Sequence, residues 1–399
     1  MDKYIDMRVF SLNHGGLSSQ IVKNEYEQRY NGVSTIRLPF KINDVNAFVV
    51  YTSEIVNSIS SIYQLNAKIT AELQSVPKEA YREYIIQSLI EEIQQSNEFE
   101  NVESTRQEIK KAYDNKEKKN IRFTGMVTKY NLLLSKTDIR LMTSSDIRQL
   151  YDDFILDEVV RETPKDYPDG DIFRKGEVHL YGKSMDSIHD GLYPESRIIE
   201  AMDQALHVLH DNDINLLIRV AIFHFMFGFI HPFYNGNGRM SRFISSFMLS
   251  KSLAQAVCLR ISYVIKEKKN RYQKMFKETE DARNMGDLTK FVIEFLDLIE
   301  SACHEVINDI HEKNETYQVM KTRLDELLND TNRDIAKKYH KVFYYILEKT
   351  IFIGNGASFD DIVQNTGITK ATVYKLLAKA DSFVYKRKEG REYRWFYSV

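Results

Sequence analysis

Two cysteines, Cys258 and Cys303, are all that the chain offers for covalent or metal staples, and neither sits in a metal-ligand spacing. That argues against a disulfide framework or a zinc site and for a reducing, cytoplasmic compartment, with both cysteines in the core. Long apolar runs are missing too. The most apolar window, Leu216 to Ile230, is short and contains Arg219 and His224, which suits a buried core helix rather than a membrane span. The opening MDKYIDMRVF lacks the basic-then-apolar pattern of a secretory signal, so none is expected. Proline and glycine are scarce, six and sixteen in 399 residues, so few positions force a helix to stop. Neither sign of charge dominates: 55 Lys/Arg against 57 Asp/Glu give a net charge of −2. Whole-chain charge therefore favours neither a nucleic-acid nor a membrane partner, and its local distribution has to decide.

What the chain does have is apolar spacing of three and four almost everywhere, which predicts a mainly α protein. Its length suggests two or three domains, drawn here as 1–113, 114–314 and 315–399. The first forty residues read as irregular. Helices are expected from about Asp44 to Tyr113, including the run from Ala47 to Leu73, then near 121–135, 145–158, 195–210, 215–230 and 239–251. The segment from Met285 to Leu328 reads as one long helix or a helix pair. Between them lies a stretch broken by Pro164, Pro168, Gly170, Gly176, Gly182 and Gly191, inside which FRKGEVHLYGK (173–183) alternates enough for a short β-hairpin. His207 and His224 read as packed helix histidines.

The stretch that carries chemistry is HPFYNGNGRMSR, His231 to Arg242. A helix ending near Ile230, a Gly-Asn-Gly loop and a new helix opening near Arg239 make an anion cradle: glycines let backbone N–H groups converge, and the helix N-terminus adds its positive end. Arg239 and Arg242 are three apart, so both can point at one polyphosphate. His231 stands at the edge of the cradle as a base able to take a proton near neutral pH. The reaction class is attack by a hydroxyl on a nucleotide phosphate, with the developing charge met by amides and arginines.

Residues His231, Phe233, Gly236, Asn237, Gly238, Arg239 and Arg242 match the motif His-x-Phe-x-(Asp/Glu)-Gly-Asn-Gly-Arg-x-x-Arg, and through it the chain resembles the Fic family over roughly Leu38 to Ala302. The resemblance implies a Fic-type helical core with a short hairpin flap and transfer of AMP from ATP, as substrate, to a Ser, Thr or Tyr hydroxyl of a protein target, the chain itself included. His231 would be the base. Gly236, Asn237 and Gly238 would hold phosphate, Arg239 would contact the α- and β-phosphates, and Arg242 the γ-phosphate. The 173–183 flap would dock the target segment by strand addition.

Upstream, SNEFEN (Ser96 to Asn101) resembles the inhibitory signature (Ser/Thr)-x-x-x-Glu-(Gly/Asn) of that family. Glu100 would pair with Arg242 and occupy the arginine that the γ-phosphate needs. One position departs from the motif: Asn235 stands where an acid would hold Mg2+, and a neutral amide is the weaker partner for that ion. Mg2+ held mainly by ATP and water, a changed donor or reaction, and nucleotide binding with little turnover all remain open.

From Thr331 to Val399 the balance changes to thirteen Lys/Arg against seven Asp/Glu. A helix capped at Ser358, a turn at Gly367, a helix after Thr369 and two alternating runs around Glu389-Gly390 together suggest a C-terminal winged helix. Residues 332–399 are then candidates for DNA binding, or for protein contacts and a homodimer. Besides AMP transfer restrained by Glu100, the sequence leaves open AMP removal and a weakly active DNA-binding regulator.

Overall fold

The computed structural model describes residues 3–115, 117–118, 120–181, 187–328, 333–390 and 392–398. By internal contacts the chain falls into two units, 1–66 with 89–304 and 67–88 with 305–399.

The first unit opens with α1 (Met7–Asn13) and α2 (Gln20–Tyr30), which pack on an antiparallel hairpin of β1 (Thr35–Ile42) and β2 (Val45–Val50). This corrects the sequence reading, which had an irregular start and a helix from Ala47. The turn residues Asn43 and Asp44 have φ of 50° and 63°, the left-handed pair of a two-residue hairpin turn, and the flanking β-branched residues extend from it. Phe48 is the hairpin's buried anchor, edge-on to Tyr26 and Tyr30.

Three helices follow: α3 (Ser53–Ser75), α4 (Lys78–Phe99) and α5 (Arg106–Asp114), the last starting from a capping box of Thr105 and Glu108. Then come α6 (Thr124–Leu134), α7 (Ser144–Phe154) and α8 (Leu156–Glu162). A short hairpin of β3 (His179–Tyr181) and β4 (Ser187–Asp190) pairs His179 with Asp190. Its second strand thus lies beyond the expected 173–183, whose last two residues are outside the described ones. Next in order are α9 (Glu195–His210), α10 (Leu216–Ile230), α11 (Asn237–Leu249), α12 (Gln255–Cys258), α13 (Ile261–Glu267), α14 (Lys269–Glu280) and α15 (Thr289–Leu328).

Helix α10 is the axis of this core. It is buried on nearly every face and packs between α9 and α11; Phe225 and Phe229 join an aromatic cluster with Phe276 and Phe291, while Phe223 and Phe227 pair with each other on the other side of the helix. Gly228 lets Phe276 lie against the helix, since a Cβ there would come within 2.6 Å of that ring. His224 is enclosed between the Ser245 and Tyr272 hydroxyls, and burial lowers its pKa to about 3; His207, by contrast, is exposed. No described helix is long and apolar enough to cross a membrane.

The second unit contains α16 (Arg333–Glu348), a π-helical turn that Gly354 ends at φ 74°, β5 (Ala357–Ser358), α17 (Phe359–Thr366), α18 (Lys370–Leu377), β6 (Val384–Glu389) and β7 (Glu392–Tyr397). The strands form an antiparallel sheet in the order β5-β7-β6. Val342, Phe343, Ile346, Ile362, Val373, Leu376, Val384 and Phe396 are buried in it. Two of three expected local signals are present: Ser358 caps α17 in a capping box with Asp361, and Gly367 ends that helix at φ 68°. Thr369, the expected cap of α18, instead shares its hydroxyl with Thr372.

Candidate active site

Helix α10 stops at His231 because Pro232 follows, which disfavours helical backbone in the residue before it. His231 takes a left-handed φ of 51°, and its carbonyl accepts a 2.9 Å hydrogen bond from Arg174 Nε. Phe233 then dives into the core, stacked on Tyr151 at 3.7 Å between centroids and edge-on to Phe173. Asn237 closes the loop on itself: its side-chain oxygen accepts from Phe233 N at 3.0 Å and its nitrogen donates to Phe233 O at 2.8 Å. Gly236 makes the turn into α11 at φ 81°, where a side chain would be strained and would press on Val159 and Tyr151.

The two arginines of α11 are fully buried, and each is already met by anionic or polar groups. Arg242 donates from Nη1 to Glu100 at 2.9 Å, from Nε to the Ser96 hydroxyl at 3.0 Å and from Nη2 to Ser96 O at 2.8 Å. Its guanidinium also lies over the Phe99 ring. Ser96 lies in the last turn of α4 and Glu100 directly after its end, one turn on and hence on the same side. Asn101 ends the helix immediately after Glu100 at φ 59°, with Val102 N bonding back to Asn97 O. The left-handed cap explains why glycine or asparagine belongs at this position. Glu100 also covers the first turn of α11: a Cβ on Gly238 would overlap Glu100 Oε1 and come within 2.9 Å of Arg242 Nη1. A carboxylate of the chain itself therefore stands where the positive end of α11 and Arg242 would attract a phosphate.

Arg239 makes a bidentate pair with Glu162 of α8 at 3.0 Å on both oxygens. Asn235 lies beside it. Its oxygen accepts from Gly236 N at 2.7 Å and Arg239 Nη2 at 3.4 Å, while its nitrogen donates to Asp166 at 3.2 Å. Neutral, and bonded through both ends of its amide, Asn235 does not fit the magnesium ligand that an acid would be. Among the described residues no group of three or more His, Cys, Asp or Glu is placed to hold a metal.

Sequence reasoning missed the supports of this loop. Arg174, fully buried, donates to the carbonyls of His231, Gly176 and Leu192, and so joins the two feet of the β3–β4 hairpin to the histidine. A Cβ on Gly191 would come within 2.5 Å of this guanidinium. Tyr234 makes a second tie, accepting from Gly176 N and donating to Asp169, both at 2.8 Å. On α4 itself, Glu92 is buried on Ser262 and Tyr130, and burial raises its carboxyl pKa to about 7.

The model of the Fic/DOC family matches residues 141–249, from the residues before α7 to the end of α11. That stretch is a Fic/DOC-family domain. A solved Fic family protein from Desulfovibrio desulfuricans G20 is similar in fold, with a TM-score of 0.53 and 20% identity over 91% of this chain and 98% of that one. A Fic domain containing signaling protein from Bacteroides thetaiotaomicron VPI-5482 matches at a TM-score of 0.46 and 16% identity, over 64% of this chain and 97% of that one. The Fic domain thus places His231, Arg239 and Arg242 together, while Ser96 of α4 and Glu100 directly after it reach Arg242 from outside the matched residues.

Proposed function

We propose that the chain is a Fic-type transferase that moves AMP from ATP to a Ser, Thr or Tyr hydroxyl of a protein, itself included, and that Glu100 restrains it. Family membership supplies the reaction class, since Fic proteins commonly transfer AMP onto proteins. The observation that carries the restraint is the Glu100 carboxylate on Arg242, over the first turn of α11.

In this reading the target hydroxyl oxygen attacks the α-phosphorus, the bond to the bridging oxygen of the β-phosphate breaks, pyrophosphate leaves and the proton passes to His231. The amides of Gly236, Asn237 and Gly238 and the positive end of α11 meet the charge that develops. Arg242 takes the γ-phosphate once Glu100 is displaced. Arg239, already anchored by Glu162, faces the α- and β-phosphates. No step is assigned to a metal on Asn235, because that side chain does not fit one. The target segment docks along the β3–β4 hairpin, whose feet Arg174 and Tyr234 fasten to the histidine loop.

The test is incubation of the full chain with ATP labelled on the α-phosphate. Glu100→Gly should gain protein-bound label, and adding His231→Ala should abolish it. No label in folded Glu100→Gly, with release of AMP from an already modified protein by the wild type, would instead favour AMP removal, in which Glu100 orients the attacking water.

A further inference from the structure

The second unit carries a surface that AMP transfer does not use. Helix α18 turns Val373, Leu376 and Leu377 inward and leaves Lys370, Ala371, Tyr374 and Lys375 exposed, as are Ala378 and Lys379 just past its end. Lys370 and Tyr374 lie toward one edge of the exposed side and Lys375 toward the other, with Lys379 just past the helix end. Tyr374, beside Lys370, is 71% exposed, more than any other tyrosine among the described residues with a large exposed side chain. The helix start is also open. Whereas α17 has a complete capping box, Thr369 makes no cap bond to α18, so its first N–H groups remain available to an anion. The β6–β7 ribbon adds Lys386, Arg387 and Lys388, all exposed, with Lys386 and Arg387 lying over Trp395, Tyr393 and Phe396 rings that hold their stems in place.

We infer that α18 and the β6–β7 ribbon form a docking surface for double-stranded DNA, with α18 entering the major groove and the ribbon lying along adjacent phosphates. Charge decides the class of partner. Protein interfaces are depleted in lysine at their centre and built on aliphatic and aromatic anchors. Here the aliphatic side chains of α18 point inward and the exposed face is lysine around one tyrosine. Shape decides the form of nucleic acid: a B-form major groove admits a helix, whereas that of A-form RNA is too narrow. One protruding tyrosine on a helix is not the stacking platform that single strands need. Most of these cations also lack a competing carboxylate. Lys370 has Asp360 at 3.2 Å and Arg387 has Glu389 at 2.5 Å, while no ion pair is recorded for Lys375, Lys379, Lys386 or Lys388 among the described residues.

The test uses the full chain and a fluorescently labelled DNA duplex of about 25 base pairs, read by anisotropy. Wild type should bind with an affinity that falls steeply between roughly 50 and 200 mM salt, with a log–log slope of about −4.5 for about five phosphate contacts. The pair Lys375→Glu and Lys379→Glu should weaken binding by at least about tenfold, and Lys386→Ala with Lys388→Ala should flatten the slope by about 2. All four residues are exposed, and an unchanged melting temperature would show that each variant is folded. Absence of salt-dependent binding by wild type, or binding that neither pair weakens, would overturn the inference. So would equal affinity for an RNA duplex, or full competition by an acidic peptide at equal charge concentration, since either points to a surface that does not read B-form DNA.

Discussion

The proposed phosphate cradle and the basic face of the second unit both collect positive charge, and they treat it in opposite ways. In the cradle the guanidinium groups of Arg174, Arg239 and Arg242 are buried, and each is held by groups of the same chain: three carbonyls, Glu162, and Ser96 with Glu100. On the α18 face the lysines are solvated. Buried charge is costly unless it is met, so the cradle must supply a stand-in of its own, carboxylate or carbonyl, for each guanidinium. The identity of each stand-in then decides what the site can do. Exposed charge needs no such partner and is open to whatever anion arrives. A cradle of this kind can be switched, and a solvated face can only be screened.

The contrast is tested most strongly by removing the stand-in. Glu100→Gly leaves Arg242 with its two bonds to Ser96 but frees its third side, and label transfer should rise by at least about tenfold, the rate equivalent of one charge-assisted hydrogen bond of roughly 1.4 kcal/mol. Arg174 tests the opposite case, a buried cation that among the described residues is held by carbonyls and has no carboxylate to release. Arg174→Ala leaves three carbonyls without a donor, and chemical denaturation should show a loss of about 3 kcal/mol. Transfer by the Glu100→Gly, Arg174→Ala double variant should fall in kcat rather than KM for ATP, because the histidine and flap feet lose their common tie.

Glu92 sharpens the comparison through pH. Its carboxyl pKa is raised to about 7 in the folded state by burial, so between the ordinary carboxylate range and pH 7 the native state holds a proton that the unfolded chain has released. Stability should therefore decline as pH rises through that window and level off above it. Comparing wild type with Glu92→Gln at pH 5 and pH 7.5 should show a decline only in the wild type once shared contributions are subtracted. The smallest effect is expected at Asn101. Alanine in its left-handed backbone should cost about 1 kcal/mol and partly release Glu100, whereas Asn101→Gly should be close to neutral. Thermal melts and the label assay of both variants would show it.

The pattern of what could be read from the sequence follows the range of the interactions. His231 to Arg242 is a local constellation: a helix end at proline, a left-handed glycine and two arginines a turn apart are all set by near neighbours. Ser96, Glu100 and Asn101 were legible for the same reason, since a four-residue step and a left-handed cap are local. The 35–50 hairpin was missed although its signal was local too, because an apolar run of β-branched and aromatic residues fits helix and strand alike and the Asn43-Asp44 turn went unweighed. Arg174, Asp169, Asp166 and Glu162 lie 57, 65, 69 and 77 residues from the motif residues they touch, His231, Tyr234, Asn235 and Arg239; separation of that order leaves no spacing to read, and only the folded chain brings them together.

The claim that Glu100 stands in for the nucleotide's terminal phosphate can be measured without turnover. Calorimetric titration of the wild type and of Glu100→Gly with ATP and with ADP separates the γ-phosphate from the rest of the ligand. The account predicts that the wild type binds the two nucleotides about equally, and that Glu100→Gly favours ATP over ADP by about tenfold, one charge-assisted contact regained on Arg242. A wild type that already favours ATP to the same degree as Glu100→Gly would contradict it.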